Sequence, residues 1–96
     1  MNVGFHDDAI AEYVAAVAWY ERDYAGRGER FRAAVERTVA DIGEGPQAFP
    51  KRFGVHVVPV HRFPYVVFFE MVEVTTVRVL AVAHAKRRPG YWRERR

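Results

Sequence analysis

Residues 65–84 read YVVFFEMVEVTTVRVLAVAH, two β-branched and aromatic runs separated by a short connection at Glu73 to Thr75. The first run, Tyr65 to Val72, is almost wholly apolar, which is typical of a central strand covered on both faces. The second run, Val77 to His84, follows a connection that is long enough only for an antiparallel return. This stretch therefore predicts the antiparallel centre of a sheet.

Two weaker strand signals occur earlier in the sequence. Val55 to Val60 has the composition of a third strand, and Pro59, which cannot donate to a hydrogen-bond ladder, favours an edge position or a bulge there. Val3 to Phe5 predicts a short N-terminal edge strand. The sheet is therefore expected to contain three to four strands.

Between these strands, apolar residues repeat at intervals of three and four, the period of an amphipathic helix. A first helix is predicted from an N-cap at Asp7 or Asp8 to about Tyr24. Gly26 and Gly28 separate it from a second helix. The predicted buried faces are Ile10, Tyr13, Val14, Val17, Tyr20 and Tyr24 in the first helix, and Phe31, Ala34, Val35, Thr38, Val39 and Ile42 in the second.

The order of these elements, helices before a run of strands, predicts an α+β fold. We expect one domain over residues 1–96. In it, a short N-terminal strand precedes a two-helix antiparallel hairpin, which packs on one face of a three- to four-stranded, mainly antiparallel twisted sheet. A chain of 96 residues, 50% of them hydrophobic, is long enough for one core and too short for two.

Composition excludes several classes of site. The chain has no cysteine and no serine, which removes disulfides, thiolate ligands and the commonest nucleophiles. The four histidines lack metal-ligand spacing, so we expect neither a metal nor another cofactor. No run approaches the roughly 18–20 apolar residues of a membrane span, and the N-terminus lacks a signal-peptide pattern. We therefore expect a cytoplasmic protein with no membrane partner.

Charge is distributed unevenly along the chain. Residues 1–48 carry five basic and nine acidic side chains (net −4), whereas residues 49–96 carry ten and three (net +7). The basic excess follows the last predicted strand, in Lys86, Arg87, Arg88, Arg93, Arg95 and Arg96. Because accumulated cationic charge attracts polyanions, this end of the fold predicts an anionic partner, either nucleic acid or an acidic protein.

Strict alternation along the last strand predicts which side chains share a face. It places Arg78 and His84 on one side and the small apolar residues of the strand on the other, toward the helices. Arg62 would join Arg78 and His84 if the strands paired in simple register. The expected result is a cationic cluster on the face of the sheet away from the helices.

Several stretches, in this order along the chain, resemble the RelE/ParE family of toxins from bacterial type II toxin–antitoxin modules, a family of plasmid stabilisation proteins. They are Ala11-Glu12-Tyr13, Ala18-Trp19-Tyr20-Glu21, Pro46-Gln47-Ala48-Phe49-Pro50, the run from Arg62 to Phe69, Val79 to His84, and the basic stretch to Tyr91-Trp92. The resemblance covers nearly the whole chain. It implies a small α+β toxin, held inactive by a cognate antitoxin and acting on translation or DNA topology when released.

The resemblance leaves three functions open. In the ParE-like branch, the toxin inhibits DNA gyrase without known nuclease chemistry. In the RelE-like branch, it is a metal-independent endoribonuclease that cleaves mRNA on the ribosome, where the substrate's 2′-hydroxyl supplies the nucleophile. The third possibility is a degenerate, non-toxic member that only binds its antitoxin. The strand from Val55 to His61 lacks the lysine-rich pair typical of the nuclease branch, which favours the ParE-like branch or an undetermined target.

Candidate site residues follow from the resemblance. The positions that resemble the nuclease's working groups are His84, Arg62, Arg87 and Tyr91. Nucleic acid or another target would contact Arg78, Lys86, Arg87 and Arg88. The antitoxin would contact Trp19 and Phe31.

Simpler interpretations remain for several of these residues. A backbone group would satisfy His84. Arg62 would form a salt bridge with Glu70 or Glu73, and Tyr91 would pack back on the sheet with Trp92.

Overall fold

A computed structural model describes all residues, 1–96, and confirms the predicted α+β fold. The strands are β1 (Asn2–Phe5), β2 (Lys51–Arg52), β3 (Val55–Pro59), β4 (Tyr65–Glu73) and β5 (Thr76–His84), and the helices are α1 (Asp7–Asp23) and α2 (Arg27–Glu44). Single 3₁₀ turns lie at Pro46–Ala48 and Arg93–Arg95. The sheet order is β1-β5-β4-β3-β2, with β1 parallel to β5 and all other pairs antiparallel.

The sheet has five strands, one more than the three to four expected, because the two-residue strand β2 was not predicted. Phe53 and Gly54, which join it to β3, both have positive φ, 58° and 82°. A two-residue hairpin with both central residues in that region is a type I′ turn. A strand of two residues is too short to show an alternating pattern, so periodicity alone could not distinguish β2 from a loop.

The first helix begins one residue earlier than predicted. His6 is its N-cap, and its Nδ1 accepts a hydrogen bond of 3.1 Å from the Asp8 backbone N–H. The predicted buried face was also rotated, since Ala9, Ala16 and Tyr20 are buried while Val14 is 60% exposed. Small alanines allow α1 to approach the sheet closely, and an alanine-rich helix leaves its orientation open in the sequence. Ile10 and Tyr24 are likewise exposed.

The second helix buries the face that the sequence predicted, with Phe31, Val35, Thr38 and Ile42 all inside. Phe31, Val35 and Ile42 pack with Tyr20 of α1 and with sheet residues to form the main core. The sheet residues are Val67, Phe69, Val77 and Val79. A smaller cluster covers the opposite face of the sheet, where Val55, Leu80 and Ala81 pack against the fully buried Trp92. The chain that follows β5 therefore returns across the face that the helices leave open.

A β-bulge in β5 changes which face its last residues occupy. Phe68 pairs with Ala81 and Phe69 pairs with Val79, so Leu80 is an extra residue in the ladder. The predicted alternation is wrong beyond this point. Arg78 lies opposite Glu70, on the face away from the helices. His84 pairs instead with Tyr65, and the centroids of their two rings are 5.4 Å apart.

Candidate functional site

The C-terminal segment is held to α1 by a buried carboxylate. Glu12 Oε2 accepts hydrogen bonds from the Tyr91 hydroxyl (2.7 Å) and from Arg95 Nη2 (3.0 Å), and Glu12 Oε1 accepts one from Arg95 Nη1 (3.0 Å). The side chains of Glu12 and Arg95 are each only 14% exposed. The guanidinium of Arg87 lies 3.8 Å from the centre of the Tyr91 ring. These four residues form what we call the Glu12 cluster.

The Glu12 cluster also completes the edge of β5. Strand β1 pairs with β5 only as far as Val79. Beyond that residue, the Val82 N–H donates to Glu12 Oε1 at 3.0 Å, and the Leu80 carbonyl accepts from Arg95 Nη1 at 2.9 Å. Backbone groups buried without a partner are costly, so these two side chains replace the strand that is missing there.

Tyr91 is fixed as a hydrogen-bond donor by this arrangement. Burial raises the pKa of Tyr91, and the hydrogen bond to Glu12 and the charge of Glu12 raise it further. The hydrogen bonds that Arg95 donates to Glu12 likewise raise the pKa of Arg95. Tyr91 is therefore a protonated phenol packed on its own fold, as the simpler interpretation of the sequence had it.

Much of the basic C-terminal half is neutralised inside the molecule. Arg78 Nη2 lies 3.2 Å from Glu70 Oε2 and donates to the Arg95 carbonyl at 3.0 Å. Arg96 also contacts Glu70, at 3.3 Å. Arg78, a predicted contact for nucleic acid or another target, is therefore engaged with its own chain. Of the predicted target contacts, Lys86 and Arg88 are exposed and have no carboxylate within 4.0 Å.

His84 lies at the end of β5, between two grooves. Its Nδ1 accepts a hydrogen bond of 3.1 Å from the Lys86 backbone N–H. One groove is lined by Trp19, Tyr20, Asp23, Arg27, Pro64, Tyr65 and His84. The other, of about 270 Å³, lies on the face away from the helices and includes His84, Arg87, Arg88, Tyr91, Arg52 and Phe53. The second groove thus brings three of the four predicted catalytic residues together.

The fourth predicted catalytic residue, Arg62, lies elsewhere. It is not on the sheet but in the turn between β3 and β4, exposed and with a φ of 69°. Its Nε donates to His61 Nε2 at 3.3 Å, and neither Glu70 nor Glu73 contacts it. The run Val60-His61-Arg62-Phe63 has a strand-like composition, but the chain reverses there, because the ladder ends at Pro59.

The two predicted antitoxin contacts differ in their accessibility. Trp19 is 54% exposed on α1, whereas Phe31 is fully buried between Tyr20, Phe63 and Tyr65. Phe31 is thus a core residue and unavailable to a partner, since its helical spacing places it on the buried face of α2. Around Trp19, the solvent side of α1 is apolar over three turns and includes Ile10, Ala11, Val14, Ala15 and Ala18.

Comparison with known proteins places this geometry in a family. The family model of the ParE toxin of the type II toxin–antitoxin system, parDE, matches residues 3–89. The chain belongs to the ParE toxin family. A solved structure, the chromosomal ParDE TA system from P. aeruginosa, has the same fold with a TM-score of 0.75 at 15% identity, and the match covers 88% of this chain and 95% of that chain. No curated protein matches the chain.

As a ParE-family toxin, the chain is the toxin component of a type II toxin–antitoxin system, and its partner is a cognate antitoxin. Neither of its helices is long and apolar enough to cross a membrane. No three of its His, Asp and Glu side chains are grouped to hold a metal ion.

Some functional residues were not found from the sequence. Glu12 was not among the predicted site residues, although its spacing from Ala9 and Ala16 matches the buried face of α1. Phe53 escaped notice because nothing in its type predicts a positive φ. The only sequence signal for the turn was Gly54 directly after Phe53, between the polar pair Lys51-Arg52 and the apolar strand β3. In that turn the Phe53 ring lies beside the Arg52 guanidinium.

Proposed function

We propose that this ParE-family toxin acts in the cytoplasm by binding DNA gyrase and not by cleaving RNA. The observation that supports this proposal is that one candidate catalytic residue is bound within the protein and another lies apart from the rest. Tyr91 is bound by Glu12, and Arg62 lies in a different groove from Arg87 and His84. An RNA-cleaving site needs a base, an acid and cations around one phosphate. In the groove that gathers His84, Arg87 and Tyr91, the Tyr91 hydroxyl is held by Glu12 and Arg62 is absent, so the predicted catalytic set is incomplete there. Membership of the ParE family supports the same target.

The exposed cations that follow β5 are the residues that would contact the target. Lys86 and Arg88 have no internal carboxylate partner, so their charges are available to an acidic surface. Arg87 is partly committed, since its Nη1 lies 3.6 Å from Glu12 Oε2. We therefore assign target contact first to Lys86 and Arg88, with Phe53 as an exposed aromatic beside them.

The experiment combines induced expression with a supercoiling assay on purified gyrase. We expect growth arrest, intact transcript ends by primer extension, and loss of negative supercoiling. Lys86→Gln with Arg88→Gln should weaken gyrase inhibition, whereas Arg22→Gln with Arg93→Gln, which removes the same charge from exposed positions elsewhere, should not. Arrest with normal supercoiling would refute the gyrase assignment. Expression without any arrest would favour the degenerate, non-toxic member.

The second groove favours one alternative function, the ribosome-dependent nuclease. It gathers His84, Arg87, Arg88 and Tyr91 beside Phe53, so cations and aromatic rings line one concave surface, as RNA recognition requires. If this alternative holds, new transcript ends should accompany growth arrest. His84→Ala should then abolish both while antitoxin binding persists.

We propose that the antitoxin covers the apolar solvent side of α1 around Trp19. A large aromatic residue that is 54% exposed beside exposed Ile10 and Val14 is the kind of patch that a partner protein buries. Trp19→Ser should weaken antitoxin binding by at least tenfold in calorimetry, a loss typical of a hot-spot residue. Tyr24→Ser removes an aromatic that is 66% exposed at the end of the same helix and is the matched control. Equal binding by both variants would exclude the Trp19 surface.

A further inference from the structure

A groove of about 750 Å³ runs along α2 and shares no lining residue with the second groove. One wall is a stripe of α2 in which successive members are three or four residues apart, so that they share one helical face. Its members are Arg27, Arg30, Ala34, Arg37 and Asp41. The other wall is the end of β3 and the turn after it, where Val58, Pro59, His61, Arg62 and Phe63 lie.

Three of the four arginines in this groove lack internal partners. Four arginines and one acidic residue, Asp41, line the groove, and Arg27 is paired with Asp23 at 3.0 Å, so the three remaining arginines and Asp41 leave a formal charge of +2 (3 − 1). Arg30, Arg37 and Arg62 have no carboxylate within 4.0 Å, whereas Arg32, on another face of the same helix, pairs with both Glu29 and Glu36. Like charges held together in a concave surface repel one another and attract an anion.

The floor of the groove is apolar. It is formed by Ala33, Ala34, Val58 and Phe63, and the one hydroxyl there, that of Thr38, donates to the Ala34 carbonyl at 2.9 Å. Phe63 packs edge-on against Phe31 at 5.1 Å and is not free to stack on a base. This floor suits methyl and methylene groups better than a sugar–phosphate backbone, which favours a protein over a nucleic acid.

The walls favour a helix over an added strand. Strand β2 covers only Val55 and His56 of β3, but the rest of that edge includes Pro59, which has no N–H to donate to another strand. The small side chains of Ala33 and Ala34 allow another helix to approach α2 closely. Arg30 and Arg37 are seven residues, or two turns, apart, which is about 10.5 Å along the helix.

We propose that this groove binds an acidic amphipathic helix of a partner protein. Carboxylates two turns apart on that helix pair with Arg30 and Arg37, and small apolar residues between them contact the alanines. Arg62, in the opposite wall, supplies a third unpaired cation. The inference rests on this groove alone and does not depend on the gyrase assignment or on the α1 surface.

The test uses synthetic peptides and the full-length chain. One peptide of about 15 residues, near the length at which an isolated helix becomes stable, carries glutamates at positions i and i+7 on an alanine-rich face. A second peptide has the same composition with the glutamates moved to other faces. Binding is measured by fluorescence anisotropy at low and high salt, with amide chemical shifts to locate the contact. A single-stranded RNA of similar charge is the third probe.

Two double variants remove the same charge from different places. Arg30→Gln with Arg37→Gln alters the groove, and Arg22→Gln with Arg93→Gln is the control. Neither Arg30 nor Arg37 makes a side-chain hydrogen bond or ion pair, so the groove variant should keep its melting temperature. We expect the groove variant to bind the matched peptide about tenfold more weakly than the control does, with shifts at Ala33 and Ala34.

Three outcomes would overturn the proposal. In the first, both double variants lose the same affinity, so that only net charge matters. In the second, the matched and shuffled peptides bind equally, so that no helical register is recognised. In the third, the RNA binds more tightly than the peptide and loses more affinity in the groove variant. Loss confined to the groove variant and the matched peptide supports it.

Discussion

Replacing Glu12 tests how the C-terminal segment is held. Its two oxygens accept four hydrogen bonds, from Val82, Tyr91 and twice from Arg95. The side chain of Arg95 is only 14% exposed, and its one other carboxylate contact is Asp8 at 3.8 Å. Breaking a buried ion pair by removing one partner costs about 3–5 kcal/mol. We expect Glu12→Ala to lower the free energy of unfolding by about that amount.

A conservative variant keeps the test informative if the alanine variant does not fold. Glu12→Gln retains the packing and one acceptor oxygen but removes the charge, so we expect a loss of about 2–3 kcal/mol. Glu44→Ala, at an exposed carboxylate with no ion pair, should change the free energy by no more than about 0.5 kcal/mol. Because a small domain is stable by only about 5–15 kcal/mol, these differences are readily measured.

The assay is urea unfolding in a Trp19→Phe background, in which the buried Trp92 is the only tryptophan. Its emission reports directly on the segment that Glu12 holds. Amide exchange at Val82 gives a second measure, since that N–H donates to Glu12. A double-mutant cycle with Arg95→Met should give strong coupling. Additive effects, or a Val82 amide that stays protected in Glu12→Gln, would refute the assignment of Glu12 as the anchor.

Three further outcomes are expected. Gly28→Ala should lower the free energy of unfolding, measured with urea, by about 1–3 kcal/mol, because a Cβ there would lie 2.6 Å from the Val17 carbonyl oxygen. An unchanged free energy would contradict this close approach of the two helices. The pKa of Tyr91 is raised in the folded state, so the unfolded chain loses the phenol proton first and the free energy of unfolding should fall above about pH 10. In urea titrations at about pH 9 to 11, Tyr91→Phe should make that fall shallower by up to about 1.4 kcal/mol per pH unit. Identical slopes for the two proteins would argue against a raised pKa. Phe53→Asn should raise the melting temperature and increase the free energy of unfolding by about 1 kcal/mol, because Asn-Gly suits a type I′ turn better than a phenylalanine strained at a φ of 58°. A lower melting temperature would show instead that the ring of Phe53 stabilises the fold.

The sequence by itself determined the central strands, the buried face of α2 and the α+β order, together with the resemblance that the ParE family match confirms. These features follow from local periodicity, in which each residue reports its own environment through the spacing of its neighbours. The chemistry-bearing residues were harder to place. An extra residue at Leu80 reversed the face of His84, and no local pattern signals a bulge of that kind.

Only the tertiary structure decided which charges are free. The sequence placed the cationic surface in the basic C-terminal half, but Arg78, Arg95 and Arg96 meet Glu70 and Glu12. The bond between Glu12 and Arg95 joins residues 83 positions apart, and such a pair cannot be seen in spacing. The groove with the most unpaired arginines instead has one wall on α2, so two of those arginines, Arg30 and Arg37, come from the acidic half. Net charge along a sequence counts residues, whereas the field at a surface depends on which of them the fold has already paired.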